Sequence, residues 1–256
     1  MNLGLKNKNV LITGSSRGIG YAIAEAFLKE GAKVMLISRG ENQLKKALNS
    51  LRETYGDSYV ESQVCDCSKE NELILMSQQI SKKWKQIDIV VANVGDGQSV
   101  SDAIPSATHW NKIWDTNFNS ALYVSRVFMP FLMKSKGSLL FISSIAAIEA
   151  FGAPVDYSTA KSAIVAFSKN LSRKVAEDFR VNVIAPGNIF FPGGSWDKKM
   201  KRDPKKTMEN ISSSVPMKRF GMPSEIADAA VFISSDCAKF ITGSILVIDG
   251  GQTLRI

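Results

Sequence analysis

The chain has 256 residues, 45% of them apolar, and carries 32 Lys and Arg against 24 Asp and Glu, a formal net charge of +8. That length can hold one α/β domain with a full core, expected over residues 1–256. Three cysteines make no disulfide framework, no apolar stretch is long enough to span a membrane, and the N-terminus lacks a secretory apolar region, so a reducing cytoplasm is expected.

Residues 9–13, an apolar run with β-branched members, read as a buried strand. The loop Gly14-Ser15-Ser16-Arg17-Gly18-Ile19-Gly20 follows, and residues 22–28 carry a helical period. Strand, glycine loop and helix in that order are the context of a dinucleotide fingerprint. Gly14 permits the tight turn. Gly18 and Gly20 lack side chains, so a pyrophosphate can approach the helix N-terminus and the helix can pack on the strand. The spacing is G-x-x-x-G-x-G rather than G-x-G-x-x-G, and Ser16, Arg17 and Ile19 of this loop are also expected at the cofactor.

The next strand, 33–37, ends in Ser38 and Arg39. NAD-preferring proteins usually place an acid here for the ribose 2′-hydroxyl. A hydroxyl and the guanidiniums of Arg17 and Arg39 suit a 2′-phosphate instead, so NADP(H) is expected over NAD(H). Strand 59–65 runs into Cys65-Asp66-Cys67, a C-x-C without a second ligand pair, read as a strand end rather than a metal site. Strand 87–92 leads to Asn93. A long helix over about 108–134 carries His109, the single histidine, outside every motif and expected to be structural. Strand 138–143 ends at Ser143 and Ser144. In the helix over about 155–178, Tyr157 and Lys161 lie one turn apart, so phenol and ammonium project from one face. A fixed cation there is expected to lower the phenol pKa and fit it to exchange a proton with a carbonyl or alcohol oxygen. Strands at 181–185 and 244–248 complete the set. The alternation predicts a doubly wound, Rossmann-type parallel sheet of about seven strands with helices on both faces.

Much of the excess charge sits in Lys198, Lys199, Lys201, Arg202, Lys205 and Lys206. Helix-turn-helix, zinc-ligand and aromatic RNA-binding patterns are missing, so neither nucleic acid nor membrane is an expected partner.

With these motifs in hand, the chain resembles the short-chain dehydrogenase/reductase family over nearly its whole length. Further matches are the Val91–Gly95 segment, departing from the family pattern at Ala92 and Val94, Pro186-Gly187, residues 217–227 and the final strand. The resemblance implies hydride transfer between a nicotinamide and a carbonyl or secondary alcohol. It assigns Tyr157 as general acid/base and gives Lys161 the tuning of that tyrosine and a hold on the nicotinamide ribose. Ser144, chosen over Ser143 by the family spacing, becomes the donor to the carbonyl oxygen. Asn117 becomes the fourth catalytic residue, holding a water that links Lys161 to solvent. By the same resemblance Asp66 lies near the adenine, and Asn93, Gly95, Pro186, Gly187 and Ile189 join the cofactor site. Residues 188–214 become a lid over the substrate, and a basic lid suits an anionic substrate. In place of the family's threonine after Pro-Gly-x-Ile stands Phe191, next to Phe190.

The general pattern is similar to 3-oxoacyl-[acyl carrier protein] reductases, although Glu177 and Asp178 would repel an acidic carrier that Lys134 and Lys136 would attract. Asp96, Gln98 and Glu149 give the expected rim a polar character that suits a keto-sugar or polyol, while Phe151, Phe190, Phe191 and Trp196 offer an apolar wall. A non-catalytic dinucleotide sensor of this fold commonly lacks the tyrosine or lysine retained here. Family members usually form homodimers or homotetramers through two long helices, and the apolar stretch 122–133 fits such an interface.

Overall fold

Each strand expected from the sequence forms within one parallel sheet in a computed structural model, which describes residues 1–254. The strands are β1 (Asn9–Thr13), β2 (Lys33–Ser38), β3 (Val60–Val64), β4 (Ile89–Ala92), β5 (Ser138–Ile142), β6 (Arg180–Pro186) and β7 (Ile245–Ile248). Their spatial order is β3-β2-β1-β4-β5-β6-β7, with Val10 opposite Val34 on one side and Ile89 on the other. The chain therefore winds outward from β1 to β3, then returns to β4 and winds the other way. The crevice beyond the carboxyl ends of β1 and β4 is the switch point, where ligands of open α/β sheets bind.

Successive side chains of a strand point to opposite faces, and the sequence fills both faces with apolar groups. Val10 and Ile12 of β1, Ile89 and Val91 of β4, and Leu140 and Ile142 of β5 enter one core. That core is closed by α1 (Gly18–Lys29), α2 (Glu41–Tyr55) and the late helix Pro223–Ser234. Leu11, Val90, Leu139 and Phe141 enter the other, closed by α3 (Glu70–Lys83) and two helices that follow β4 and β5. Burying each such side chain contributes about 1.5–3 kcal/mol before chain entropy is set against it.

The helix predicted over 108–134 is not continuous. It forms α4 (Ala107–Trp114) and α5 (Ser120–Ser135), joined by a π turn over Asp115–Asn119. The helix predicted to reach 178 is α6 (Val155–Val175), after which Asp178 and Phe179 turn back to bond the Val175 carbonyl. The stretch after β6 folds as α7 (Ser195–Arg202) and α8 (Pro204–Ser214), and α9 (Pro223–Ser234) precedes β7. Among the described residues, no helix is long and apolar enough to cross a membrane.

Candidate active site

The loop from β1 to α1 needs its glycines for space. Gly14 and Gly18 have φ of +64° and +58°, in the left-handed region that favours glycine. A Cβ on Gly20 would lie 2.4 Å from the Gly14 carbonyl oxygen and 2.5 Å from Asn93 Nδ2. Asn93 sews the loop to β4: its backbone N–H donates to Thr13 Oγ1 at 3.0 Å, and its Nδ2 donates to the carbonyls of Thr13 and Gly14 at 3.0 and 3.1 Å. No side chain caps α1, which leaves its first N–H groups and the positive end of its dipole for an anion. A cradle that a single methyl group would fill, closed by uncapped N–H groups, fits a dinucleotide diphosphate.

Beside this cradle, Ser16 and Ser38 share a hydrogen bond of 3.1 Å. Arg39 lines a cleft of about 400 Å³ with Ser68, Thr108, Asn111, Lys112, Asp115 and Thr116. Asp66 accepts from the Ser68 N–H and hydroxyl at 3.1 and 2.8 Å. Burial pushes its carboxyl up, but the two Ser68 bonds and the charges of Arg39 and Lys69 outweigh that, and the pKa falls below the usual range. Arg17 is engaged elsewhere: its Nη1 donates to the Gly193 carbonyl at 3.0 Å, tying the glycine loop to the segment before α7.

Ser144, Tyr157 and Lys161 come together at the carboxyl end of β5. Ser143 and Ser144 have opposite surroundings. The Ser143 hydroxyl is buried and donates to the Lys161 carbonyl at 3.0 Å, whereas the half-buried Ser144 hydroxyl meets the Tyr157 phenol. Lys161 is only 3% exposed, its Nζ donates to the Ile142 carbonyl at 3.1 Å and lies 6.0 Å from the Tyr157 ring centre. Burial lowers its pKa from 10.5 to about 8. The lowered phenol pKa expected from the sequence is not what the chain's own groups produce. Burial raises the Tyr157 pKa, the Ser144 bond opposes the rise, and the Asp96 carboxylate adds to it. The ammonium is not among the groups that shift it; its Nζ donates to the Ile142 carbonyl instead.

Asn117 sits fully buried in the π turn. Its Nδ2 donates to the carbonyls of Ile113 and Asp96 at 3.0 and 3.1 Å, and its Oδ1 accepts from the Asp96 N–H at 3.1 Å. Gly95 fits beneath: a Cβ there would stand 2.8 Å from Lys161 Nζ and 3.0 Å from Asn117 Oδ1.

Beyond Pro186, Gly187 packs so closely that a Cβ would meet Asp249 at 2.7 Å, and Ile189 bridges to Gly221. Phe191 does not stand free beside the site. Its ring lies on the glycine loop, within 2.7 Å of where a Gly18 Cβ would be. Phe190 and Trp196 instead gather on Phe220, with ring centres 5.6 and 5.3 Å apart. The basic stretch is partly engaged: Lys201 pairs with Asp197 at 2.8 Å, Lys199 covers the Trp196 ring at 4.1 Å, and Lys198 donates to Gln98 Oε1 at 2.9 Å. The Glu149 carboxylate accepts the Leu254 N–H at 2.9 Å. Among the described residues, no group of three or more His, Cys, Asp or Glu side chains is placed to hold a metal ion, and Cys65 and Cys67 are buried free thiols.

The reading of the sequence missed Ser15, whose buried hydroxyl donates to Ile12 and accepts from the Ile37 N–H, and Gly97, which lies against the Tyr157 ring. A serine directly after the loop's first glycine is the signal that could have found the first. No local pattern marks the second.

A doubly wound sheet with this loop and this hydroxyl–phenol–ammonium cluster defines a dinucleotide-binding oxidoreductase. The family model described as enoyl-(acyl carrier protein) reductase matches residues 14–253. The 3-oxoacyl-[acyl-carrier-protein] reductase FabG of Chlamydia trachomatis is 34% identical over 251 residues, covering 97% of this chain and 98% of that protein. The crystal structure of L-sorbose reductase from Gluconobacter frateurii, complexed with NADPH and L-sorbose, superposes with a TM-score of 0.92 at 31% identity and full coverage of both chains. The Pseudomonas aeruginosa RhlG/NADP active-site complex gives a TM-score of 0.89 at 30% identity, covering 98% of each chain. The chain belongs to the short-chain dehydrogenase/reductase family and is an oxidoreductase of C=O and CH–OH groups.

Proposed function

We propose that the protein is an NADPH-dependent reductase whose substrate is a 3-oxoacyl thioester. The observation that carries the reaction is the meeting of the Ser144 and Tyr157 hydroxyls beside buried Lys161, at the switch-point crevice. Bound NADPH supplies the hydride for the carbonyl carbon. Ser144 donates to the carbonyl oxygen and stabilises its growing charge. Tyr157, kept protonated by its burial, gives its proton to the same oxygen. Lys161, largely cationic below about pH 8, steadies the phenolate that results. Asn117 holds a water that returns a proton from solvent by way of Lys161. Gly14, Gly18 and Gly20 receive the diphosphate, Asp66 the adenosine, and Ser38 and Arg39 the 2′-phosphate. NADPH in the L-sorbose reductase complex and NADP in the RhlG complex support this cofactor.

The thioester is supported by the name of the chlamydial relative and by the Phe190, Trp196 and Phe220 side chains gathered on the lid side. The polar Asp96 and Gln98 beside Tyr157, with L-sorbose in the neighbouring complex, favour a keto-sugar as the second reading. Lys198, reaching Gln98 from the lid, suits an anionic group on either substrate. Assembly into homodimers or homotetramers accompanies this reading. Half-buried Tyr123, Val127 and Phe131 on α5 support it.

Initial rates of NADPH oxidation test both, with acetoacetyl thioesters, a keto-sugar panel including L-sorbose, and NADH as control. Turnover of the thioester is the expected result, with kcat falling about 10²–10⁴-fold in Tyr157→Phe. Turnover of a sugar alone would replace the first reading with the second. No NADPH oxidation on either class would refute both.

A further inference from the structure

Asp156, one residue before Tyr157, is 1% exposed, and both its oxygens are engaged. Oδ1 accepts the Tyr157 backbone N–H at 2.7 Å, and Oδ2 accepts the Ser99 hydroxyl at 2.6 Å. His109 Nε2 lies 2.9 Å from the same Ser99 oxygen and 3.5 Å from Asp156 Oδ2. A carboxylate only accepts, so the single Ser99 proton goes to Asp156. The Ser99 oxygen must then accept from His109, which assigns the ring proton to Nε2.

We propose that Ser99, Asp156 and His109 form a positioning clamp that holds residues 95–99 over Tyr157 and Lys161. The inference rests on the proton-handling role given to those two residues. Residues 93–100 have no regular secondary structure, yet every residue from 95 to 98 meets the site. Gly95 lies under Lys161 Nζ and Asn117. Asp96 bonds Asn117 through its backbone N–H and carbonyl, and its carboxylate raises the Tyr157 pKa. A Cβ on Gly97 would stand 3.7 Å from Tyr157 Cζ and 3.9 Å from its oxygen. Gln98 takes the Lys198 ammonium of the lid. Asn117 anchors the segment at its near end. Ser99 anchors the far end, on the first turn of α6 and on α4 together. A buried carboxylate supplies the fixed point, and loss of its donor leaves a buried charge under-bonded, which is costly. The three clamp residues are bonded to one another and to backbone, so they act through the segment.

The test compares the intact protein with Ser99→Ala and with Ser99→Thr, which keeps the hydroxyl. Hydrogen exchange reads the Asp96 and Gln98 amides, both hydrogen-bonded in the structure, against the glycine loop as control. Turnover is measured on the carbonyl identified by the substrate panel, and NADPH affinity by cofactor fluorescence. In Ser99→Ala, exchange at 95–98 is expected to quicken about tenfold and kcat to drop about tenfold, as for one lost bond to a buried charge. NADPH affinity should stay within about twofold, the glycine loop should exchange as before, and Ser99→Thr should restore both quantities. Unchanged exchange at 95–98 in Ser99→Ala would overturn the clamp. So would a parallel loss of NADPH affinity and kcat that threonine fails to restore. If the intact protein reduces no carbonyl, the proposed substrate falls, while the exchange measurement still decides the clamp.

Discussion

Replacing Lys161 by methionine should abolish the chemistry and stabilise the fold. The ammonium is 3% exposed and its pKa falls from 10.5 to about 8 through burial alone. A base whose folded pKa lies below its unfolded pKa binds more protons when unfolded. Its cost to stability is fully present below about pH 8 and disappears as pH rises toward 10.5. At about 1.4 kcal/mol per pH unit, the difference amounts to about 3 kcal/mol at pH 7. Lys161→Met removes that cost, fills a similar volume and gives up the bond to the Ile142 carbonyl, worth about 1 kcal/mol. The net gain is about 2 kcal/mol, or about 4–8 °C in Tm for a chain of this size. Urea and thermal unfolding of both proteins at pH 7 and pH 10 measure it. The advantage should shrink to about zero by pH 10, where the folded wild-type lysine is neutral. A methionine variant no more stable than wild type at pH 7, or equally advantaged at both pH values, would refute the reasoning.

Gly20→Ala should weaken NADPH binding and cost about 1–3 kcal/mol, because its Cβ collides with the Gly14 carbonyl and the Asn93 amide; fluorescence titration and urea unfolding check it. Arg39→Ser should raise the NADPH dissociation constant about tenfold or more and leave NADH unchanged, since a charge-assisted bond to the 2′-phosphate is lost. Glu225 accepts from Arg219 at 2.9 and 2.6 Å and from the Met222 N–H at 2.8 Å, and these bonds lower its pKa to about 2. Glu225→Ala should therefore cost about 1 kcal/mol at pH 7 through the start of α9, a deficit that fades as pH falls from 4.5 toward about 2. Lys198→Gln should raise KM for an anionic substrate severalfold and flatten its salt dependence, and an unchanged KM would remove the lid from substrate recognition.

The central strands were legible because they are buried on both faces and read as apolar runs, whereas β3 and β7 lie at the sheet edges and are only partly covered. Residues 9–13 became β1 without change, and the other boundaries moved by only one or two residues. The tight glycine loop was legible because glycine spacing and strand–loop–helix order are local signals. Tyr157 and Lys161 were legible because one helical turn fixes their shared face. The break at Asp115–Asn119 was not, since nothing in that local sequence separates a π turn from an α-helix. The sign of the Tyr157 shift escaped too. It depends on burial and on Asp96, sixty-one positions earlier in the chain. Ser99 and Asp156 are joined across 57 positions, beyond any periodicity. Phe191 was legible as a departure, but its course back to Gly18 is set by tertiary packing.

The break in the helix after Trp114 has a consequence for how this chain can change over time. In the widened turn the Ser120 N–H reaches the Asp115 carbonyl, and the Ile113 carbonyl takes its hydrogen bond from the Asn117 side chain. Asn117 thus repairs the helix that presents it. A descendant that abandoned carbonyl reduction would still be held to asparagine there, or would have to rebuild the turn. The Tyr157 hydroxyl, facing Ser144 and closing no helix, carries no such structural duty. Of the two residues, the tyrosine is therefore the more sensitive record of whether selection is still acting on the chemistry.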